Sequence, residues 1–276
     1  MEKLSKLQEI LRRYDSAVIA FSGGVDSTFL ARIAADVTGN NVLLVTASSS
    51  TYPVRELEES RKLALSLNLK HRVIVSEELD IAGFSENNPD RCYYCKLELF
   101  RKITQIASEE GYAVVFDGSN ADDVHDYRPG RRALRELGII SPLCEAGLTK
   151  QEIRGISAKM GLPTASKPSF ACLASRFPYG EKITGDKLSR VGKAEDSLIK
   201  LGFHQFRVRS HGDLARIEIE SGQMDKAWSM RDELERVCRE AGFTFAALDL
   251  RGYRTGAMNE ALSQTGNIQP GPTDQT

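Results

Sequence analysis

The hexapeptide Ser22-Gly23-Gly24-Val25-Asp26-Ser27 constrains this chain more than any other segment. It follows the apolar run Ala17-Val18-Ile19-Ala20-Phe21 and precedes Thr28-Phe29-Leu30-Ala31-Arg32-Ile33-Ala34, which reads as strand, tight turn, helix. Gly23 and Gly24 allow a sharp turn and a close approach of backbone to ligand. The N–H groups of such a turn point at one spot, where the helix dipole also favours negative charge. Ser22 and Ser27 add hydroxyls. Asp26 is the discordant member, because a carboxylate beside bound phosphates calls for a divalent cation between them. The lysine and the spacing of a Walker A loop are missing.

The rest of the first half repeats the strand–helix alternation. Leu4, Leu7, Ile10 and Leu11 predict a short leading helix. Val42–Thr46, Arg72–Val75 and Ala113–Phe116 read as buried strands, and residues 53–67 and 96–110 as helices, the second stopped by Gly111. Continuous apolar strands alternating with helices predict a doubly wound parallel sheet of the α/β class. Such sheets bind ligands at the carboxyl ends of their strands, where residues 22–27, 47–52 and 117–123 fall. Thr149 with Glu152 predicts a capped helix running to Gly161-Leu162-Pro163. After a loop and crossover at 164–185 the pattern changes to helix 186–201, a hairpin of Phe203–Arg209 and Leu214–Glu220, helix 223–241 and strand Phe243–Leu250. The expected organisation is a ligand-binding α/β domain over 1–178, a small α+β domain over 179–260, and a disordered polar tail over 261–276.

At 276 residues, 41% hydrophobic, 27% charged and with a net charge of −1, the chain reads as a soluble globular protein. The charge gives no reason to expect a nucleic-acid partner. No apolar run approaches the roughly 20 residues of a membrane span. The start, Met1-Glu2-Lys3-Leu4, lacks an apolar signal segment, so the expected location is the cytoplasm.

There, five cysteines read better as metal ligands, reactive thiols or core than as disulfides. Cys92 and Cys95 form a C-x-x-C, and Cys172 lies in Ala171-Cys172-Leu173-Ala174. Three thiolates can hold a [4Fe–4S] cluster and leave one iron open for a non-core sulfide. They also suit zinc, with His71 or His125 as a fourth ligand. A redox pair and three unrelated buried thiols are further readings. Cys144 and Cys238 read as structural. In the hairpin, Phe206 and Val208 alternate with Arg207 and Arg209. The arginines form either a phosphate-binding fork or one side of a solvated sheet face with cross-strand ion pairs, and spacing favours the solvated face.

The hexapeptide resembles the pyrophosphate loop of the N-type ATP pyrophosphatases. With Arg91-Cys92-Tyr93-Tyr94-Cys95-Lys96, Asp117-Gly118-Ser119-Asn120-Ala121-Asp122-Asp123, Asp126-Tyr127-Arg128-Pro129-Gly130, Lys167-Pro168-Ser169-Phe170-Ala171-Cys172-Leu173 and Phe206-Arg207-Val208-Arg209, the chain resembles one branch of them, the LarE sulfur transferases, to about residue 258. The resemblance implies ATP and Mg²⁺ as cofactors and adenylation of a carboxylate of pyridinium-3,5-biscarboxylic acid mononucleotide, followed by replacement of oxygen with sulfur. It implies nucleotide contacts at Ala20, Ser22, Gly23, Gly24, Asp26, Ser27, Ala47 and Gly118, and Mg²⁺ at Asp26 and Asp123. It further implies a [4Fe–4S] cluster on Cys92, Cys95 and Cys172, fed by a sulfide donor, where other members sacrifice the cysteine matching Cys172. It raises Arg207 and Arg209 to substrate-phosphate ligands, with Glu195 and Asp225 as further candidates, and suggests a homo-oligomer, a hexamer. A tRNA thiolase, an ammonia-using synthetase and a nucleotide-binding module without catalysis are the competing readings.

Overall fold

The computed structural model describes residues 2–39, 41–124, 129–168, 172–254 and 257. The expected disordered tail lies outside them, as do His125, Asp126, Tyr127 and Arg128 and the Ser169-Phe170-Ala171 approach to Cys172. The chain divides into two compact units: Met1–Ala82 with Pro89–Phe170, and Gly83–Asn88 with Ala171–Thr276. Among the described residues no helix is long and apolar enough to cross a membrane.

In the first unit, β1 (Ala17–Ala20), β2 (Val42–Ser48), β3 (Lys70–Val75) and β4 (Val114–Phe116) form an all-parallel sheet in the order β3-β2-β1-β4. Around it lie α1 (Glu2–Leu11), α2 (Val25–Thr38), α3 (Val54–Ser66), α4 (Arg91–Glu109), α5 (Gly130–Glu136), α6 (Pro142–Glu145) and α7 (Lys150–Lys159). The strand pleat sends alternate residues to opposite faces. Ala17, Ile19, Val42 and Leu44 pack with residues of α1, α2 and α7, among them Leu7, Phe29 and Ile153. Val18, Leu43 and Val45 pack with Phe100 and Ile103 of α4 and Leu134 of α5. Each fully buried Phe or Leu contributes about 1.5–3 kcal/mol, so both faces need their helices and the sheet is doubly wound as expected. The order places β2 on one side of β1 and β4 on the other. That reversal opens a crevice at the carboxyl ends of β1 and β4, where the 22–27 and 117–120 segments begin.

The capping box is present, with the Thr149 side chain and the Glu152 side chain each bonding the other's backbone N–H. Two boundaries differ from expectation. α4 starts at Arg91, so Cys92 and Cys95 stand on its opening turns rather than in a preceding loop. Met230 divides the helix expected over 223–241 into α9 (Met224–Ser229) and α10 (Arg231–Glu240). The second unit also holds α8 (Gly185–Lys200) and a sheet of β5 (Phe206–His211), β6 (Leu214–Ile219) and β7 (Phe245–Leu248). β5 and β6 form the expected antiparallel hairpin, and β7 joins β6 in parallel.

Candidate functional site

The turn after β1 is built by its two glycines. Gly23 has φ +63°, the left-handed region that favours glycine, and a Cβ there would meet the Ser60 Cα and Cβ of α3 at 3.2 Å. Gly24 is the N-cap of α2 and offers no side-chain cap, so the first N–H groups of that helix are left for an anion. Two side chains tie down the turn's carbonyls. Tyr52 donates its hydroxyl to Ser22 O at 2.8 Å, and Lys167 Nζ donates to Gly23 O at 3.1 Å. Burial, then the charges of Glu56 and Glu59, hold the Tyr52 hydroxyl well above the ordinary phenol range, which keeps it a donor. Ser22 Oγ and Ser27 Oγ lie 3.2 Å apart across the turn. Gly23→Ala is expected to weaken ATP binding about fivefold to thirtyfold, because the left-handed conformation alone costs a Cβ residue about 1–2 kcal/mol. Calorimetric ATP titration checks this, and wild-type affinity in the variant would show the turn to be adaptable.

Asp26 faces a recess of about 150 Å³ that is also lined by Ser22, Gly24, Lys150 and Lys167. Its carboxylate pairs with Lys150 Nζ and accepts a long bond from Asn120 Nδ2 at 3.5 Å. A carboxylate beside a phosphate turn that already holds a cation fits Mg²⁺, which takes one or two carboxylates and completes its shell with phosphate oxygens and water. Asp123 is nearly buried, and its Oδ2 accepts from the Asn120 N–H at 3.0 Å, which fixes the segment after β4. Lys167 Nζ also bonds Glu56 and Glu59 at 2.8 and 2.9 Å.

Ala20 ends β1 and Ala47 lies near the end of β2, both half-buried. Gly118 backs onto the turn, since a Cβ there would stand 3.4 Å from Ser27 N. Beside it the buried Asp117 accepts from Ser119 Oγ at 2.6 Å, from Ser141 Oγ, and from Lys96 Nζ at 3.4 Å.

Cys92 is exposed, while Cys95 is half-buried and donates its thiol to Glu78 Oε1 at 3.8 Å. Burial pushes the Glu78 carboxyl up, against the bonds from Ser49 and Thr51 that pull it down. His71, one candidate fourth zinc ligand, bonds Thr46 Oγ1 through Nε2 at 2.8 Å. Cys172, in the second unit, is exposed. Among the described residues no three His, Cys, Asp or Glu side chains form a group able to hold a metal ion. Cys238 is buried, its thiol pushed up to about 12 by burial, and burial also raises Cys144.

The second unit carries a buried charge network that alternation along the strands conceals. Arg207, Arg209 and Glu218 form the expected polar face of the hairpin, yet each is nearly inaccessible, and the turn Leu173–Arg176 packs on β5. The expectation of a solvated sheet face is corrected accordingly. Arg209 grips Glu218 with Nε and Nη2 at 3.0 and 2.8 Å and donates Nη1 to Ser175 O at 2.8 Å. Arg176 grips Glu195 at 2.8 and 3.0 Å and donates Nη1 to Ser175 Oγ at 2.7 Å and Cys172 O at 3.3 Å. Two buried arginines thus hold the turn that follows Cys172. Glu195 is fully buried and also accepts from the Val208 N–H at 3.1 Å. Burial pushes its carboxyl up, but the Arg176 charge and hydrogen bonds, Arg207 and the Val208 N–H outweigh burial and leave it below the ordinary value. Arg207 bonds Phe206 O at 2.6 Å and lies 4.9 Å from the Tyr253 ring centroid. Burial and then the Arg176 charge push it down to about 10. Asp225 is exposed in the first turn of α9. Sequence reasoning gave no role to Tyr52, Lys150 or Arg176, and placed Lys167 only within a motif.

A four-stranded parallel sheet with a glycine phosphate turn at its reversal point, an acidic residue in that turn and no Walker lysine defines the fold of the N-type ATP pyrophosphatases. The chain is 35% identical over 263 residues, 95% of each chain, to the pyridinium-3,5-bisthiocarboxylic acid mononucleotide synthase of Lactiplantibacillus plantarum, and it belongs to that family, LarE. It is 42% identical over 266 residues, 95% of this chain and 98% of the other, to an uncharacterised protein of Synechocystis. It is also 28% identical over 178 residues, 57% of this chain and 54% of the other, to one component of the glutamine-hydrolysing GMP synthase of Methanococcus maripaludis. No family model matches the chain.

Proposed function

We propose that this protein is an ATP-dependent sulfur transferase of nickel-pincer nucleotide synthesis. It adenylates a carboxylate of pyridinium-3,5-biscarboxylic acid mononucleotide and replaces the carboxylate oxygen with sulfur. The observation that carries the reading is the likeness to the Lactiplantibacillus enzyme along nearly the whole of both chains. The phosphate turn and Asp26 beside it are what an adenylating site requires.

The turn Ser22–Ser27 holds the ATP phosphates on the N–H groups of α2. Asp26, with Asp123 as a second candidate, would hold Mg²⁺, which when bound supplies charge neutralisation at the phosphates. Ala20, Ala47 and Gly118 border the nucleotide. The substrate carboxylate attacks the α-phosphorus and pyrophosphate leaves. A sulfur nucleophile then attacks the acyl carbon, and AMP departs with the former carboxylate oxygen. Cys92, Cys95 and Cys172 are the proposed sulfur-handling set, as ligands of a [4Fe–4S] cluster able to carry a non-core sulfide. That assignment rests on the cysteine pattern and the family.

The substrate's phosphate is assigned to Arg207 and Arg209, with Glu195 and Asp225 as lesser candidates. Arg176, Arg207 and Arg209 lie with Glu195 and Glu218 in one buried network, and guanidinium groups suit a phosphate. A cytoplasmic homo-oligomer remains part of the proposal.

The test is anaerobic turnover of the pyridinium dicarboxylate mononucleotide with ATP and Mg²⁺, read by mass spectrometry, with iron and acid-labile sulfide measured on the same sample. Thiocarboxylate, AMP and pyrophosphate together support the reading. About four irons per chain support the cluster, whereas iron-free protein that turns Cys172 into dehydroalanine makes that cysteine the sulfur source. Pyrophosphate release dependent on tRNA instead would favour the thiolase reading.

A further inference from the structure

Lys150 holds a position in the nucleotide recess that nothing in its sequence surroundings announces. It is the first residue of α7, its backbone N–H donates to Asp122 Oδ2 at 2.8 Å, and the Thr149–Glu152 box fixes the residues on either side. Glu152 is held in turn by Lys3 at 2.7 Å. The root of the side chain is therefore fixed while its long stem reaches to the Asp26 carboxylate. Both groups are partly exposed, and both line the recess with Ser22 and Gly24. Lys167, by contrast, is shared among Glu56, Glu59 and Gly23 O, which ties its ammonium to one place.

A carboxylate on a phosphate-binding turn repels the polyanion it is meant to receive unless a cation covers it. The cation paired with Asp26 is the Lys150 ammonium. A divalent ion arriving with phosphate oxygens carries twice the charge and competes for the same carboxylate. The displaced ammonium stays anchored at its root, and the new occupant of the recess is anionic.

We propose that Lys150 is an exchangeable counter-ion of this site. It neutralises Asp26 in the nucleotide-free protein and passes to the oxygens of the β- and γ-phosphates, the departing pyrophosphate, once a divalent cation takes the carboxylate. The proposal rests on the ATP-using reading above and adds a residue to it. Removing the Lys150 charge should act in opposite directions on two ligands, weakening the anion and strengthening the bare metal ion. A purely structural lysine would produce no such pair of effects.

The experiment uses the full chain, with Lys150→Gln and Lys150→Arg beside the wild type. Inorganic pyrophosphate with Mg²⁺ and AMP are titrated by calorimetry, and Mn²⁺ alone by electron paramagnetic resonance. In Lys150→Gln, pyrophosphate affinity should fall about tenfold to a hundredfold, AMP affinity should be unchanged, and Mn²⁺ alone should bind about tenfold more tightly. Lys150→Arg should restore pyrophosphate binding. Unchanged pyrophosphate binding in Lys150→Gln, or Mn²⁺ binding no tighter than wild type, overturns the role of Lys150 alone. A wild-type protein that binds neither ATP nor pyrophosphate overturns the nucleotide site itself, and this proposal with it. Thermal melting of each variant separates these outcomes from a loss of fold.

Discussion

Asp26→Ala is expected to cut ATP-dependent pyrophosphate release by about a hundredfold to a thousandfold while leaving the fold intact. The side chain is partly exposed on the recess, and its partners are the Lys150 ammonium and the Asn120 amide. Its loss breaks no core contact, yet it removes the carboxylate offered to the cation that accompanies the phosphates. The defect should fall on chemistry more than on AMP binding, since the adenosine end does not depend on that charge. Pyrophosphate release in the presence of the pyridinium dicarboxylate, with a melting curve as control, checks this. A variant that releases pyrophosphate at the wild-type rate would remove Asp26 from the mechanism and leave the turn as a binding element only.

Arg176→Ala should destabilise the second unit by about 3–5 kcal/mol, the usual cost of stranding one member of a buried ion pair, and lower its melting temperature by roughly 12–40 °C. Glu195 would keep its Val208 N–H bond but lose both guanidinium bonds at zero exposure. Replacing both members, Arg176→Met with Glu195→Gln, should restore most of the stability, because neither charge is then stranded. The pair also has a pH signature. The Glu195 carboxyl lies below its ordinary value in the folded protein, so its contribution is complete above the unfolded-state value of about 4.3 and is lost as the pH falls through the folded value. Acidification below about pH 4 should therefore cost the wild type stability that the double variant keeps. An Arg176→Ala protein with wild-type melting would mean that the network is solvated in solution. Because Arg176 and Arg209 both bond the turn after Cys172, the stable double variant is also expected to lose sulfur transfer.

How much of this was legible depended on sequence distance. The phosphate turn could be read because its parts are contiguous: strand, two glycines, hydroxyls and helix follow one another without a gap. The capping box at Thr149 and Glu152 was legible for the same reason. Lys167 was not, since its partners Gly23, Glu56 and Glu59 lie more than a hundred positions away, and nothing local distinguishes it from a surface lysine. The first turns of α4 are hard to read locally, because between Arg91 and Phe100 the helix buries no apolar side chain. The hairpin misled differently. Strict alternation gave the faces of β5 and β6 correctly, but arginine on alternate positions normally marks water. Tertiary cover, to which the 173–176 turn contributes, makes that face interior.

The six residues Gly83–Asn88 belong to the second unit although half of the first is made after them. Phe84 is among that unit's fully enclosed side chains, and Asn87 sends its amide to Phe177 O and Pro178 O at 3.2 and 2.7 Å while its carbonyl receives Gly180 N–H at 3.1 Å. Ser85 O receives Ile183 N–H at 2.8 Å. A gene cut between 170 and 171 would therefore yield a whole first unit carrying a strip without its partners, and a later polypeptide missing an aromatic plug and the carbonyls and amide that order its entry loop. On the ribosome, those six residues must wait for nearly a hundred more before their partners emerge. Expressing the second unit alone should require the missing strip to be supplied, by fusion or as a peptide.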